Sequence, residues 1–119
     1  MTKIRILAIG KLKERYAKEG RFFLQKLGPD DFNIALDIEG ELLSSPELAR
    51  VVEERALMAG KTLNFLIGGS LGLDEAVKQR CQLRLSFGRL TFPHQLFRVV
   101  VCEQVYRCFK IIRHETYHK

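Results

Sequence analysis

The chain lacks most of the features that would place it at once. Its three cysteines, Cys81, Cys102 and Cys108, are odd in number and show no zinc-finger spacing. That excludes a disulfide framework and a structural zinc site, and predicts free buried thiols in helices, in a reducing compartment. The longest apolar stretch, Leu96–Ile112, is broken by Arg98, Glu103, Arg107 and Lys110, too often for a membrane span. Met1-Thr2-Lys3-Ile4 leads into a charged strand rather than a signal peptide, and predicts a cytoplasmic protein. Repeats, low-complexity tracts and linkers are absent, so residues 1–119 read as one domain. With 46% apolar residues it can build a core without metal or disulfide support. No Ser–His–Asp or Cys–His set can be assembled, and Asp37, Glu39, Asp74 and Glu75 read as strand-end and cap residues.

Acid is also scarce, but only in one half. Residues 1–78 hold 12 Lys/Arg and 12 Asp/Glu, whereas residues 79–119 set eight Lys/Arg against Glu103 and Glu115. The whole net charge of +6 therefore sits in the C-terminal part. A basic half beside a neutral one points to a polyanionic partner, nucleic acid first, or else to a solvated basic surface.

What is present alternates between two periods. Ile4–Ile9, Phe32–Ile38, Leu63–Ile67 and Leu83–Phe87 are short apolar runs that predict buried strands. Between them, Lys11–Leu27 carries Leu12, Tyr16, Phe23 and Leu27 at helical spacing, and Gly28-Pro29-Asp30-Asp31 stops it. Ser44-Ser45-Pro46-Glu47 opens a helix by a capping box or by a Ser45 cap with Pro46 in the first turn. Its stripe of Leu48, Val51, Val52, Ala56 and Ala59 runs to Gly60. Asp74 caps a short helix to Cys81, and Pro93 starts a long one to Ile112. That last helix is apolar on two sides, with Leu96, Val99 and Val100 on one, and Phe97, Val101, Val105, Cys108 and Ile112 on the other. Both need cover, and a second subunit would supply it. Strands alternating with helices predict an α/β domain with a mainly parallel sheet.

Ligands of such sheets gather beyond the carboxyl ends of the strands. Three exits here carry informative residues, at Leu36–Gly40, Gly68–Gly72 and Phe87–Pro93. Gly68-Gly69-Ser70-Leu71-Gly72 lets backbone approach a ligand, but it is neither a Walker loop nor a GxGxxG fingerprint, and a plain tight turn is the commoner explanation. His94, beside Pro93, reads first as a packing or capping residue. The tail Arg113-His114-Glu115-Thr116-Tyr117-His118-Lys119 combines cations, an aromatic ring and imidazoles, a set suited to phosphate, base and proton; the competing reading is a frayed terminus.

Phe65-Leu66-Ile67-Gly68-Gly69, Leu85-Ser86-Phe87, Leu90-Thr91-Phe92-Pro93-His94-Gln95, Arg98-Val99-Val100, Glu103-Gln104-Val105-Tyr106-Arg107 and the closing Tyr117-His118 form an ordered series. It resembles the RlmH family, SPOUT-class methyltransferases that methylate N3 of a pseudouridine in large-subunit ribosomal RNA. The likeness runs from about Asn33 to the C-terminus, with a weaker echo in Ile4–Leu27. It implies a SPOUT fold with a C-terminal trefoil knot over roughly residues 63–119, a homodimer, and S-adenosyl-L-methionine as cofactor with no metal. The cofactor contacts it implies fall on Leu36, Gly68, Phe87, Gly88, Arg89, Leu90, Thr91 and Phe92. One departure is plain. Family members are longer by about forty residues, the size of one further strand–helix unit, expected between Leu27 and Phe32.

The chemistry implied is in-line attack of N3 on a methyl group, with loss of the N3 proton. His118 is the candidate to accept that proton or to stabilise the negative ring. Arg113 would stabilise ring or phosphate charge, and Tyr117 would stack on or orient the base. Two other readings stand beside this one: a non-catalytic RNA-binding SPOUT-like dimer, carried by the basic half, and a nucleotide-binding α/β module, carried by the Gly68–Gly72 loop alone.

Overall fold

The computed structural model describes residues 3–8, 16–68 and 72–118, and the side chains of all of these except 16–20. Strand β1 (Ile4–Ala8) leads to helix α1 (Tyr16–Lys26), then β2 (Phe32–Leu42) and α2 (Ser45–Val52). β3 (Leu63–Ile67), α3 (Glu75–Gln79), β4 (Leu83–Ser86) and α4 (His94–Ile112) complete it. The four strands form one sheet in the order β1-β3-β2-β4, and every neighbouring pair is parallel. The predicted parallel α/β architecture is present. The expected start of the first helix, at Lys11 and Leu12, lies outside the described residues.

Parallel strands are joined by helical crossovers that cover both faces of the sheet, so their residues are buried on both sides. β3 shows this most fully, with all five residues buried. On one face Phe32, Ile34, Leu63, Phe65, Ile67, Leu83 and Leu85 meet Leu48, Ala49 and Val52 of α2 and Val101 and Cys108 of α4. On the other, Ala35 and Leu66 meet Phe23 and Leu27 from the first helix and its exit, Val77 of the third helix, and Leu73 just before it. The chain is thus a three-layer sandwich.

One polar ladder runs through the second face. Arg5, Asn64 and Asn33 are register partners on β1, β3 and β2. Arg5 Nε donates to Asn64 Oδ1 at 2.8 Å, and Asn64 Nδ2 donates to Asn33 Oδ1 and to Asp31 Oδ2, both at 2.8 Å. Asn33 Nδ2 in turn donates to the Arg80 carbonyl at 3.1 Å. Asn33 and Asn64 are almost wholly buried. A buried amide with its partners in place costs little, whereas one left alone loses about 1–3 kcal/mol.

Several boundaries differ from the sequence expectations. β2 does not close at Ile38 but continues to Leu42, because Leu36 and Glu41 both pair with Leu85 and the residues between them bulge out. α2 opens on the predicted capping box, with Glu47 N–H donating to Ser44 Oγ at 3.2 Å and Ser44 N–H donating to Glu47 Oε1 at 2.7 Å. Its continuation Glu53–Leu57 is a π-helical turn rather than α-helix. The buried-thiol expectation holds for Cys108 alone: Cys81 lies beyond α3 and is half-buried, and Cys102 is exposed on the outer side of α4. Burial pushes the thiols of Cys81 and Cys108 up to about 11, so neither is a thiolate nucleophile at neutral pH.

Candidate active site

The strand register brings the three predicted exits to one edge. Ala35 pairs with Leu66 and Leu36 with Leu85, so Leu36, Ile67 and Leu85 stand at about the same height. Gly68 follows directly. A Cβ on it would lie 2.5 Å from the Gly72 carbonyl carbon and oxygen, so only glycine lets the loop return this closely. Gly69, Ser70 and Leu71 lie outside the described residues. Leu36 is half-buried against the α2 and α4 side of the core.

The β4 exit is pinned by Ser86, which is almost fully buried. Its Oγ accepts from the Gly88 N–H at 3.0 Å and has the Ile38 carbonyl at 3.0 Å and the Gly88 carbonyl at 3.2 Å for its single proton. Gly88 has φ +113, and a side chain there would meet nothing within 4 Å. Behind the loop, Phe97 of α4 stacks on Phe92 at 6.0 Å and takes the edge of Phe87 at 5.5 Å. These contacts fix the path from Phe87 to Phe92.

They also enclose a cavity of about 350 Å³. Leu42 and Leu43 close it from the end of β2, Ser44, Ser45 and Leu48 from the start of α2, and Leu85 to Gly88 from β4. Phe92, Val100 and Gln104 form the remaining wall. A mostly apolar cleft of this size with a few polar groups is the ordinary form of a small-molecule site. Of the predicted cofactor residues, Phe87, Gly88 and Phe92 line it. Leu36 and Gly68 stand at the same sheet edge without lining it, and Arg89, Leu90 and Thr91 are exposed, Leu90 to 76%. Ser44, Ser45 and Gln104 were not anticipated: the serines read only as helix-capping residues, and Gln104 has no local signal of its position.

The tail is not frayed. α4 ends in a Schellman turn, with His114 at φ +58, its N–H donating to the Ile111 carbonyl at 3.0 Å and the Glu115 N–H to the Lys110 carbonyl at 2.9 Å. The chain therefore reverses onto α4. Tyr117 donates its hydroxyl to Glu103 Oε2 at 2.9 Å and packs edge-on against Tyr106 at 5.0 Å. Arg107 pairs with Glu103 at 2.8 Å, lies 4.9 Å from the centre of the Tyr117 ring, and reaches His118 Nδ1 at 3.0 Å. The Arg107 guanidinium, helped by the Tyr117 hydroxyl against a burial penalty, holds the Glu103 carboxyl below its usual range. The Glu103 carboxylate, first of several causes, raises the Tyr117 phenol.

Tail and cavity are joined. Ser45 Oγ donates to Gln104 Oε1 at 2.9 Å inside the cavity wall, and Gln104 Nε2 donates to Glu103 Oε1 at 3.1 Å. Two of the three predicted catalytic residues, Tyr117 and His118, thus connect through Glu103 and Arg107 to Gln104 and Ser45 in the cavity wall. Arg113 is exposed at the end of α4 and, among the described residues, takes no part in this network. His94 opens α4, its Nε2 buried without a partner among the described residues, so it packs rather than caps. The described residues hold no His/Cys/Asp/Glu group able to bind a metal and no helix long and apolar enough to cross a membrane.

A parallel sheet with its cleft beyond the carboxyl ends defines the class, and the comparisons narrow it. The family model described as "Predicted SPOUT methyltransferase" matches residues 10–118, and the chain belongs to the SPOUT methyltransferase family. Within it, the similar relatives carry the name ribosomal RNA large subunit methyltransferase H. Those of Carboxydothermus hydrogenoformans and Bacillus pumilus are each 53% identical over 102 residues, 86% of this chain and 64% of theirs. That of Listeria monocytogenes is 48% identical over 114 residues, 96% of this chain and 72% of its own. The chain thus spans 64% of the length of the first two.

Proposed function

We propose that this chain is an S-adenosyl-L-methionine-dependent methyltransferase acting on N3 of a pseudouridine in large-subunit ribosomal RNA. The observation that carries the reading is the unbroken polar path from the cavity wall, Ser45 and Gln104, to Tyr117 and His118. It sets a small-molecule cleft and a base-binding tail on one helix. The site fits the cofactor: a cleft of about 350 Å³ has aromatic and aliphatic walls for an adenine and a thioether, and open space beside Gly88 where backbone can meet a ligand.

When bound, S-adenosyl-L-methionine supplies an electrophilic methyl group on a sulfonium. Phe87, Gly88 and Phe92 would hold it, with Leu36 and Gly68 closing the edge and Arg89, Leu90 and Thr91 folding over it. Tyr117 offers an aromatic face to the base, and the Arg113 guanidinium, exposed at the end of α4, is available to phosphate. The resemblance also carries the trefoil knot and the homodimer. Leu96 (49% exposed) and Val99 (63%) form the outward apolar face of α4 that a second subunit would cover. Val100, grouped with that face from the sequence, lines the cavity instead.

Calorimetric titration with S-adenosyl-L-methionine, with S-adenosylhomocysteine as control, is expected to show micromolar binding of both. Methyl transfer to pseudouridine-containing ribosomal RNA should follow. RNA binding by a folded protein that takes up neither compound would replace this reading with the non-catalytic RNA-binding dimer, which the basic C-terminal half also supports.

A further inference from the structure

Both tail groups nearest the network are committed as hydrogen-bond donors or held by one. Tyr117 spends its proton on Glu103 Oε2. His118 meets Arg107 Nη1 through Nδ1 at 3.0 Å. A guanidinium has donors only and keeps its charge, so Nδ1 presents its lone pair to Arg107. In a neutral imidazole the proton then sits on Nε2, which points away as a donor.

Arg107 is well placed to impose this. Glu103 holds its Nη2 at 2.8 Å, and the Tyr117 ring lies against its guanidinium. The titratable and charged groups packed around this end of α4 are Glu103, Tyr106, Arg107 and Lys110 on the helix and Glu115 and Tyr117 on the tail. Both carboxylates already have cations, Glu103 with Arg107 and Glu115 with Lys110 at 3.0 Å. Among the described residues, the hydrogen-bond partner of the imidazole is the guanidinium.

We propose that His118 acts in methyl transfer as a hydrogen-bond donor through Nε2–H, with Arg107 as the residue that sets its tautomer, and not as the base that removes the N3 proton. This rests on the methyltransferase reading above and assigns the chemistry of that site. The N3 proton passes first to water, and the anion left behind bonds to the methyl carbon while the electron pair of the broken sulfur–carbon bond stays on sulfur. The negative charge left on N3 and its two flanking carbonyl oxygens is what the Nε2–H stabilises. A donor aimed at developing charge in a site of this kind is worth about 10²–10³ in rate.

The test uses the full chain labelled with ¹⁵N-histidine. Long-range ¹H–¹⁵N correlation spectra, recorded at a pH where the imidazole is neutral, are expected to show His118 with Nδ1 bare and Nε2 protonated, and Arg107→Ala should abolish that preference. An Nδ1–H tautomer of the neutral ring in the unmodified chain would overturn the assignment. In turnover, His118→Ala should lower kcat about 10²-fold, while His118→Gln, whose amide N–H stands near the lost Nε2–H, should stay within about tenfold. Equal loss in the two variants would also overturn it, since neither side chain can act as a base. The tautomer is read without turnover. Absent methyl transfer with the expected tautomer would therefore sink the functional reading alone, and the wrong tautomer would sink this one even where methyl transfer is seen.

Discussion

The two ends of the sheet are built on opposite principles. At the amino end, Arg5, Asn64, Asn33 and Asp31 satisfy one another across three strands, and little is left for a ligand. At the carboxyl end the chain opens into Gly68, Gly88 and a cleft whose polar groups line the wall. The first end specifies register, because a slip by one residue would turn both asparagines into the opposite, apolar face. The second gives up side-chain packing for access. Stability and binding are thereby separated along the strands, and substitutions at the two ends should be separable by experiment.

The sharpest break in that contrast is Asn64→Ala. It takes the partner from Asn33 Oδ1 and Arg5 Nε in the buried ladder, while Asp31 keeps Arg5 and the Gly28 N–H, and chemical denaturation should show a loss of about 3 kcal/mol. Cofactor affinity of the remaining folded protein should not change; a matching loss of affinity would show that the ends are coupled. Gly68→Ala attacks the other end. Its Cβ would lie 2.5 Å from Gly72 backbone, so the exit loop must shift, and the affinity for S-adenosyl-L-methionine should fall about tenfold with a smaller change in stability. Unaltered affinity would remove Gly68 from the site.

The smallest effect concerns acid. Folding lowers the Glu103 pKa, so its contribution is present above the unfolded value and lost as pH falls through the folded one. The Tyr117 attachment should therefore loosen below the ordinary glutamate value of about 4.3, while the sheet is still intact. With no tryptophan and three tyrosines, intrinsic tyrosine fluorescence can follow it directly. A tail signal that changes only with global unfolding would show that Glu103 does not hold it.

The alternation of strands and helices was legible because both periods and their stops are local: the Ser44–Glu47 capping box and the Gly28–Asp31 turn act within four residues. The resemblance and the strand-exit argument both pointed to the loop Phe87–Phe92, and Phe87, Gly88 and Phe92 of it line the cavity. What escaped depends on partners distant in sequence. Asn33 and Asn64 sit inside apolar runs, and nothing nearby says that they face each other. The β2 bulge exists only because Leu85 serves two residues of the neighbouring strand. Tyr117 and His118 announced their chemistry, but their anchors lie 14 and 11 residues back, across a reversal made by a non-glycine residue at positive φ. Ser45 and Gln104, 59 residues apart, meet only in the folded chain.

That reversal has a mechanical consequence. Val100 and Gln104 of the cleft, and Glu103 and Arg107 of the tail, lie within about two turns of one helix. A helix is far stiffer than the loops that usually carry such groups. The separation between cleft and tail is therefore ruled by a rod rather than by a hinge. A base and a methyl group brought to the two could be aligned once, in the folding of α4, and need not be aligned again at each encounter.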